Sequence, residues 1–142
     1  MIRRGAAEDS DRIIEIWKAA NIQANDFIDS GFWIGIAEIV KDNYFPVSDI
    51  YVYESDGEIR GFISIVDSTF LSGLFVALDM QNKQIGSSLL NFVMERYPLL
   101  ELAVYDKNIH GVEFFLSKGF KVIKSQTDTN TGEIEHIMEW KR

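Results

Sequence analysis

Polar and apolar residues alternate from Asp49 to Glu54, with Ile50 and Val52 set against Tyr51 and Tyr53, and a more apolar run of the same texture extends from Glu58 to Val66. Alternation puts successive side chains on opposite faces of a pleated chain, so both runs are predicted strands. Ser55-Asp56-Gly57 lies between them, and its Asp-Gly pair suits a tight hairpin turn. After Asp67-Ser68-Thr69, a third run from Phe70 to Ala77 completes an antiparallel meander.

On both sides of this block the period lengthens to that of a helix. Ile2 to Arg4 is a short predicted strand, and Glu8-Asp9-Ser10-Asp11 supplies capping side chains and first-turn negative charge. Ile13, Ile14, Trp17 and Ala20 then recur at helical spacing, with an expected end near Asn21. Asn21 to Ser30 reads as a connection anchored by Phe27. A second helix carries Phe32, Trp33, Ile36, Ile39 and Val40 on one side and closes before Asn43 and Pro46. Downstream, Ile85, Leu89, Phe92 and Val93 form an apolar stripe that stops near Tyr97-Pro98. Leu99 to Tyr105 is the next strand. Asn108 suits an N-cap for a helix with Val112, Phe115 and Leu116, and Gly119 sits where a left-handed residue ends it. Phe120 to Thr127 and Glu133 to Lys141 pair across Asp128 to Gly132 as a closing hairpin.

The resulting order, β-α-α-β-β-β-α-β-α-β-β, predicts an α/β chain with a mixed sheet and helices on its faces. Strand, helix, strand over residues 70 to 105 forces one parallel crossover, and ligands commonly sit beyond the carboxyl ends of such strands. The stretch from Phe75 to Leu90 occupies that place, an apolar strand running through a short polar turn into an amphipathic helix. Its first helical amides are free to hold phosphate, and taken alone it reads equally as an ordinary crossover.

A length of 142 residues, 46% of them hydrophobic, gives the expectation of one domain with a substantial core. With 14 basic against 22 acidic residues the net charge is -8, which disfavours a nucleic-acid surface and favours basic or amine-bearing partners. The absence of cysteine excludes disulfides, thiol catalysis and a cysteine zinc site, and His110 and His136 are too few and too far apart for a histidine-rich metal site. No run approaches the roughly 18 to 20 apolar residues of a membrane span, so no membrane association is expected and a cytoplasmic protein is the working reading.

Three elements together resemble the GCN5-related N-acetyltransferase (GNAT) superfamily. Gln81-Asn82-Lys83-Gln84-Ile85-Gly86-Ser87 stands where that family has Arg/Gln-x-x-Gly-x-Gly/Ala opening a helix; Val104-Tyr105-Asp106-Lys107-Asn108 matches a strand ending in Val-x-x-x-Asn; and Phe114-Phe115-Leu116-Ser117-Lys118-Gly119-Phe120 matches Phe-Tyr-x-x-x-Gly-Phe. The resemblance covers nearly the whole chain and is nearest to small single-domain bacterial acetyltransferases. Some of those carry His-x-Phe between the first two helices, where Asn25-Asp26-Phe27 stands here.

The resemblance implies acetyl-CoA as cosubstrate and central strands splayed around it. Its pyrophosphate is expected on the amides of residues 81 to 86, Gln81, Asn82, Lys83, Gln84, Ile85 and Gly86, with Lys83 adding charge and Ser87 also counted among the cofactor-binding residues. Phe75 and Val76 offer backbone groups to the pantetheine arm, Asn108 binds that arm or the far end, and Phe115 lies beside the sulfur. Two departures stand out. Gln84 replaces the first glycine, which an ordinary helical or turn backbone accommodates, and Phe115 replaces the tyrosine that protonates the leaving thiolate in many members. Tyr105 is the nearest substitute by sequence. Phe27, Trp33 and Phe70 are candidate lining for an acceptor pocket, and Asp67 and Glu38 are candidate bases. The expected reaction is direct attack of a primary amine, of a small molecule or a protein, on the acetyl thioester. The alternative is an acyl-CoA-binding module with impaired catalysis, and the chain is expected to be a monomer or homodimer.

Overall fold

The computed structural model describes residues 1–142. Its strands are β1 (Ile2–Arg4), β2 (Asp49–Ser55), β3 (Glu58–Val66), β4 (Phe70–Val76), β5 (Leu99–Tyr105), β6 (Lys121–Thr127) and β7 (Ile134–Lys141), and its helices α1 (Ser10–Ala24), α2 (Ser30–Ile39), α3 (Ile85–Met94) and α4 (Ile109–Ser117). All seven strands join one mixed sheet in the order β1-β2-β3-β4-β5-β7-β6. Alternation in the strands sends neighbouring side chains to opposite cores. Phe62, Ile50 and Val52 meet Ile13 and Trp17 under α1 and α2, whereas Ile63 and Ile65 meet Leu89 and Val93 under α3. Burial of such side chains contributes about 1.5 to 3 kcal/mol each before chain entropy is counted. Gly61 permits the second contact, because a Cβ there would lie 2.9 Å from the Phe75 carbonyl oxygen and 3.2 Å from Ile85 Cγ2. No helix is long and apolar enough to cross a membrane.

Three boundaries differ from the sequence expectation, each for a local reason. α1 continues past Asn21 to Ala24, since Asn21 Nδ2 donates to the Trp17 carbonyl at 3.0 Å and the Asn25 amide donates to the Asn21 carbonyl at 2.9 Å. Asp9 does not cap α1. Its carboxylate accepts from the Ala6 amide and from Arg3, both at 2.8 Å, and the Arg3 bond holds it below the usual carboxylate range. Beyond α2 the chain widens into a π turn, Val40–Tyr44, followed by a 3-10 turn, Phe45–Val47.

Two irregularities open the centre of the sheet. Ser64 pairs with Gly73 but Ile65 with Leu71, so Ser72 is the extra residue of a β-bulge, and its hydroxyl lies 2.7 Å from that of Ser64. A bulge bends and twists its strand. β4 and β5, the one parallel pair, meet at a single register position, Phe70 opposite Glu101, where the Glu101 amide donates to the Thr69 carbonyl at 2.9 Å. Beyond that point the two strands diverge, and their facing edges lack ladder partners from Leu71 to Val76 and from Leu102 to Tyr105.

Candidate active site

The divergence of β4 from β5 opens a cleft of about 1300 Å³ that reaches both faces of the sheet. One end is made of backbone. After β4, Asn82 and Gln84 adopt left-handed conformations, at φ 64° and 65°, and α3 starts immediately. The Ser88 amide is the first to find a helical carbonyl, that of Gln84 at 3.0 Å, which leaves the amides of Ile85, Gly86 and Ser87 without intrahelical acceptors. Left-handed residues alternating with others turn successive amides toward one concavity, and the helix dipole adds positive potential, so this loop has the geometry of an anion cradle. Gln81 Nε2 donates to the Val76 carbonyl at 3.3 Å and ties the loop to the end of β4.

Gln84 corrects one expectation. Its backbone is not the ordinary turn conformation that would suit a glutamine but the left-handed one that a glycine adopts freely, so this residue carries backbone strain of about 1 to 2 kcal/mol. Gly86 needs no positive φ, and an added Cβ would meet Phe114 Cζ and Val76 Cγ2 only at 3.9 Å. What it keeps open is the approach to the amides. Gln81, Asn82, Gln84, Ile85, Gly86 and Ser87 all line the cleft, as do Phe75 and Val76 on the open edge of β4, whereas Lys83 is exposed at the loop's tip outside the lining.

Asn108 and Phe115 line the opposite wall. Asn108 caps α4, with Oδ1 accepting from the Gly111 amide at 3.1 Å, so what it can still offer a ligand is its amide N–H. Phe115 packs edge-on against Phe114 and Phe120, at centroid distances of 5.2 and 5.4 Å, and no hydroxyl stands at its position. The Tyr105 hydroxyl, the substitute expected from the sequence, donates to Asp128 Oδ2 at 2.6 Å across the β6–β7 turn. Burial, then that bond, holds its proton well above the usual tyrosine range. A phenol so placed is a weaker acid than a free one, already engaged elsewhere.

On the α1 and α2 face, Trp33 and Phe70 line the cleft, while Phe27 lies behind it, packed edge-on against Tyr105 at 5.8 Å. The candidate bases Asp67 and Glu38 are both outside the lining, Asp67 on the exposed β3–β4 turn and Glu38 paired with Lys41 at 3.3 Å. The acidic groups that do face the cleft are Asp26 and Glu135. Sequence reading missed both, together with Asn21 and Asn25, which are buried on its wall. The signal for the asparagines was present: Trp17, Asn21 and Asn25 recur every fourth residue on the apolar side of α1.

A splayed parallel pair and a turn of free amides at the start of α3 agree with the earlier resemblance, and comparison with known proteins decides it. The family model described as the acetyltransferase (GNAT) domain matches residues 37–141. The chain belongs to the GNAT family. It is accordingly an N-acetyltransferase that takes its acetyl group from acetyl-CoA. Among the relatives of this GNAT chain is the peptidyl-lysine N-acetyltransferase YiaC of Escherichia coli (strain K12), 31% identical over 140 residues that cover 99% of this chain and 96% of the relative. Another is the peptidyl-lysine N-acetyltransferase YjaB of Salmonella typhimurium (strain LT2), 26% identical over 128 residues that cover 89% of this chain and 88% of the relative. The solution structure of apo-form YjaB from Escherichia coli superposes with a TM-score of 0.84 at 20% identity, covering 99% of this chain and 96% of that one, which places the fold.

Proposed function

We propose that this acetyltransferase acetylates a primary amine carried by a protein, a lysine side chain first among the candidates, by direct attack on the thioester held between β4 and β5. The observation that carries the reading is the cleft itself. It runs without interruption from the amide cradle at Gly86 to the wall formed by Trp33 and Phe70, so a thioester whose phosphates lie at one end meets an acceptor entering from the other. The naming of YiaC and YjaB as peptidyl-lysine acetyltransferases supports the choice of acceptor.

In this reading the chain contributes mainly position. The amides of residues 85 to 87 hold the pyrophosphate, Phe75 and Val76 hold the pantetheine arm as an added strand, and Asn108 steadies it from the start of α4. Alignment of two reactants can supply roughly 7 to 11 kcal/mol of a barrier. The acceptor's ammonium first loses a proton through Asp26 or Glu135, the acidic groups facing the cleft; the neutral nitrogen then bonds to the carbonyl carbon, the carbon–sulfur bond breaks, and the nitrogen's second proton passes to water. With Phe115 lacking a hydroxyl and Tyr105 committed to Asp128, the thiolate takes its proton from water, which suffices because an ordinary thiol has a pKa of about 8.5.

Phe115 is also the one observation that favours a second reading, an acyl-CoA-binding module with impaired turnover. One experiment separates them. Acetyl-CoA at 100 times its Kd is expected to stabilise the chain by about 2.7 kcal/mol, and a lysine-containing peptide is then expected to release free thiol. Absence of the thermal shift overturns both readings, and a shift without thiol release across lysine peptides and small amines leaves the binding module.

A further inference from the structure

The last turns of α1 present an asparagine ladder to the cleft. Asn21 is 4% exposed and Asn25 5% exposed. Asn21 Nδ2 donates to the Trp17 carbonyl at 3.0 Å, and Asn25 Nδ2 donates to Asn21 Oδ1 at 3.1 Å. A carbonyl oxygen only accepts, so Trp17 fixes which way the Asn21 amide faces, and Asn21 fixes Asn25 in turn. The ladder therefore ends in a carbonyl oxygen, Asn25 Oδ1, which is buried and has no partner. The Trp33 ring stands edge-on to Trp17 at 5.7 Å and is 6% exposed, and its indole N–H is likewise buried with no partner.

These are the two buried side-chain polar atoms in the chain that lack a hydrogen bond, and both belong to residues that line the cleft. Packing does not require either one, since leucine and phenylalanine fill similar space without a polar atom, and an unmet buried group destabilises the fold that carries it. One unmet acceptor and one unmet donor on residues of one cleft match a ligand that presents both an N–H and a C=O.

We infer that Asn25 and Trp33 form an acceptor-selecting site that prefers an amine mounted on a peptide-like framework over a bare alkylamine: Asn25 Oδ1 accepts from an acceptor N–H, and Trp33 Nε1 donates to an acceptor carbonyl. This rests on the acetyl-transfer reading above. Both atoms are closed to solvent in the free chain, so acceptor entry parts the cleft lining at Asn25, where the backbone has already left the helix at φ -117° and ψ 51°.

The test compares two probes with the same alkylammonium, Nα-acetyl-lysine amide and 1,5-diaminopentane, the second having no carbonyl. The wild-type chain is expected to favour the lysine amide by about tenfold or more in kcat/KM, as a site built to bond a group rejects the analogue without it. Trp33→Phe is expected to bring that ratio toward one. Asn25→Leu is expected to raise the acceptor KM about tenfold for both probes, with the Kd of acetyl-CoA within twofold of wild type and a lower melting temperature, because Asn21 Oδ1 loses its donor. In the wild-type chain saturated with CoA, the Trp33 indole N–H resonance, identified by its loss in Trp33→Phe, is expected to shift downfield with the lysine amide and not with diaminopentane. Equal use of the two probes, no turnover of either, a ratio unchanged in Trp33→Phe or an unmoved indole resonance overturns the inference. The spectrum decides the matter even where Asn25→Leu does not fold. Failure of acetyl-CoA to bind the wild-type chain is the separate failure of the acetyl-transfer reading.

Discussion

The two ends of the cleft are made of different material. At the start of α3 the polar groups left free are main-chain amides, and the shape that presents them comes from two left-handed residues, Asn82 and Gln84, neither of which is glycine. At the other end the chemistry rests on particular side chains: Phe115 without a hydroxyl, Tyr105 bonded to Asp128, and Asn25 and Trp33 with polar atoms unmet. An amide cradle survives a change of side chain provided the backbone keeps its path, whereas a proton donor is lost with one oxygen atom. Affinity for the cosubstrate and rate of transfer are therefore separable in this enzyme, and substitutions at the two ends should move different constants.

The largest expected effect comes from filling the cradle. Gly86→Glu places a carboxylate among the amides of residues 85 to 87 while its Cβ meets only ordinary contacts at 3.9 Å. The chain should fold, and acetyl-CoA affinity by calorimetry should fall by about 100-fold or more, since a like charge at the site costs several kcal/mol. Retained affinity in a folded variant would mean that the phosphates lie elsewhere.

Phe115→Tyr tests the other end. A general acid contributes roughly 10² to 10⁴-fold, and water supplies part of that here, so kcat is expected to rise about tenfold with the Kd of acetyl-CoA unchanged. An unchanged kcat at saturating substrates removes the missing acid from the account.

Tyr105→Phe should instead leave kcat within about threefold and lower stability by about 1 kcal/mol, through loss of the 2.6 Å bond to Asp128. The pH dependence has a definite sign. The folded-state pKa of Tyr105 is raised by burial and by Asp128, so the protonated phenol's contribution to stability is complete below the unfolded value of about 10 and erodes as pH rises above it. Chemical denaturation of wild type and variant should show a constant stability gap from neutral pH to about pH 9 and a narrowing one beyond. A large fall in kcat for Tyr105→Phe would restore the tyrosine as a donor.

The fold was legible in the sequence because its signals are local. Alternation at Ile50 and Val52, the Asp56-Gly57 turn, the Ile85 to Val93 stripe and the Asn108 cap each specify an element without reference to the rest. The cleft was legible only where a motif carries it. Gly86 and Asn108 could be placed, but β4–β5 divergence depends on an extra residue at Ser72, and nothing in Phe-Leu-Ser-Gly-Leu announces a bulge. Tyr105 illustrates the other limit. Its position at the end of β5 could be read from the pattern, yet its hydroxyl bond reaches Asp128, 23 residues away on a turn whose approach is a property of the sheet. Asn25 was quoted for its place in a motif, while its burial depends on α1 extending a turn past its expected end.

The smallest expected effect is the most discriminating for the contrast between backbone and side chain. Gln84 sits at φ 65° and ψ 14°, its side chain is exposed on the cleft's rim, and the family pattern has glycine there. Gln84→Gly relieves about 1 to 2 kcal/mol of left-handed strain and returns about half of that through the greater freedom of glycine in the unfolded chain. A net gain of about 0.5 kcal/mol is expected, seen as a melting temperature about 2 °C higher. If the cradle is made by the backbone alone, the Kd of acetyl-CoA should stay within twofold, because the same amides point the same way with either residue. A tenfold tightening would show that the glutamine side chain obstructs the phosphate groove, and that residue identity governs binding at this end as it governs catalysis at the other.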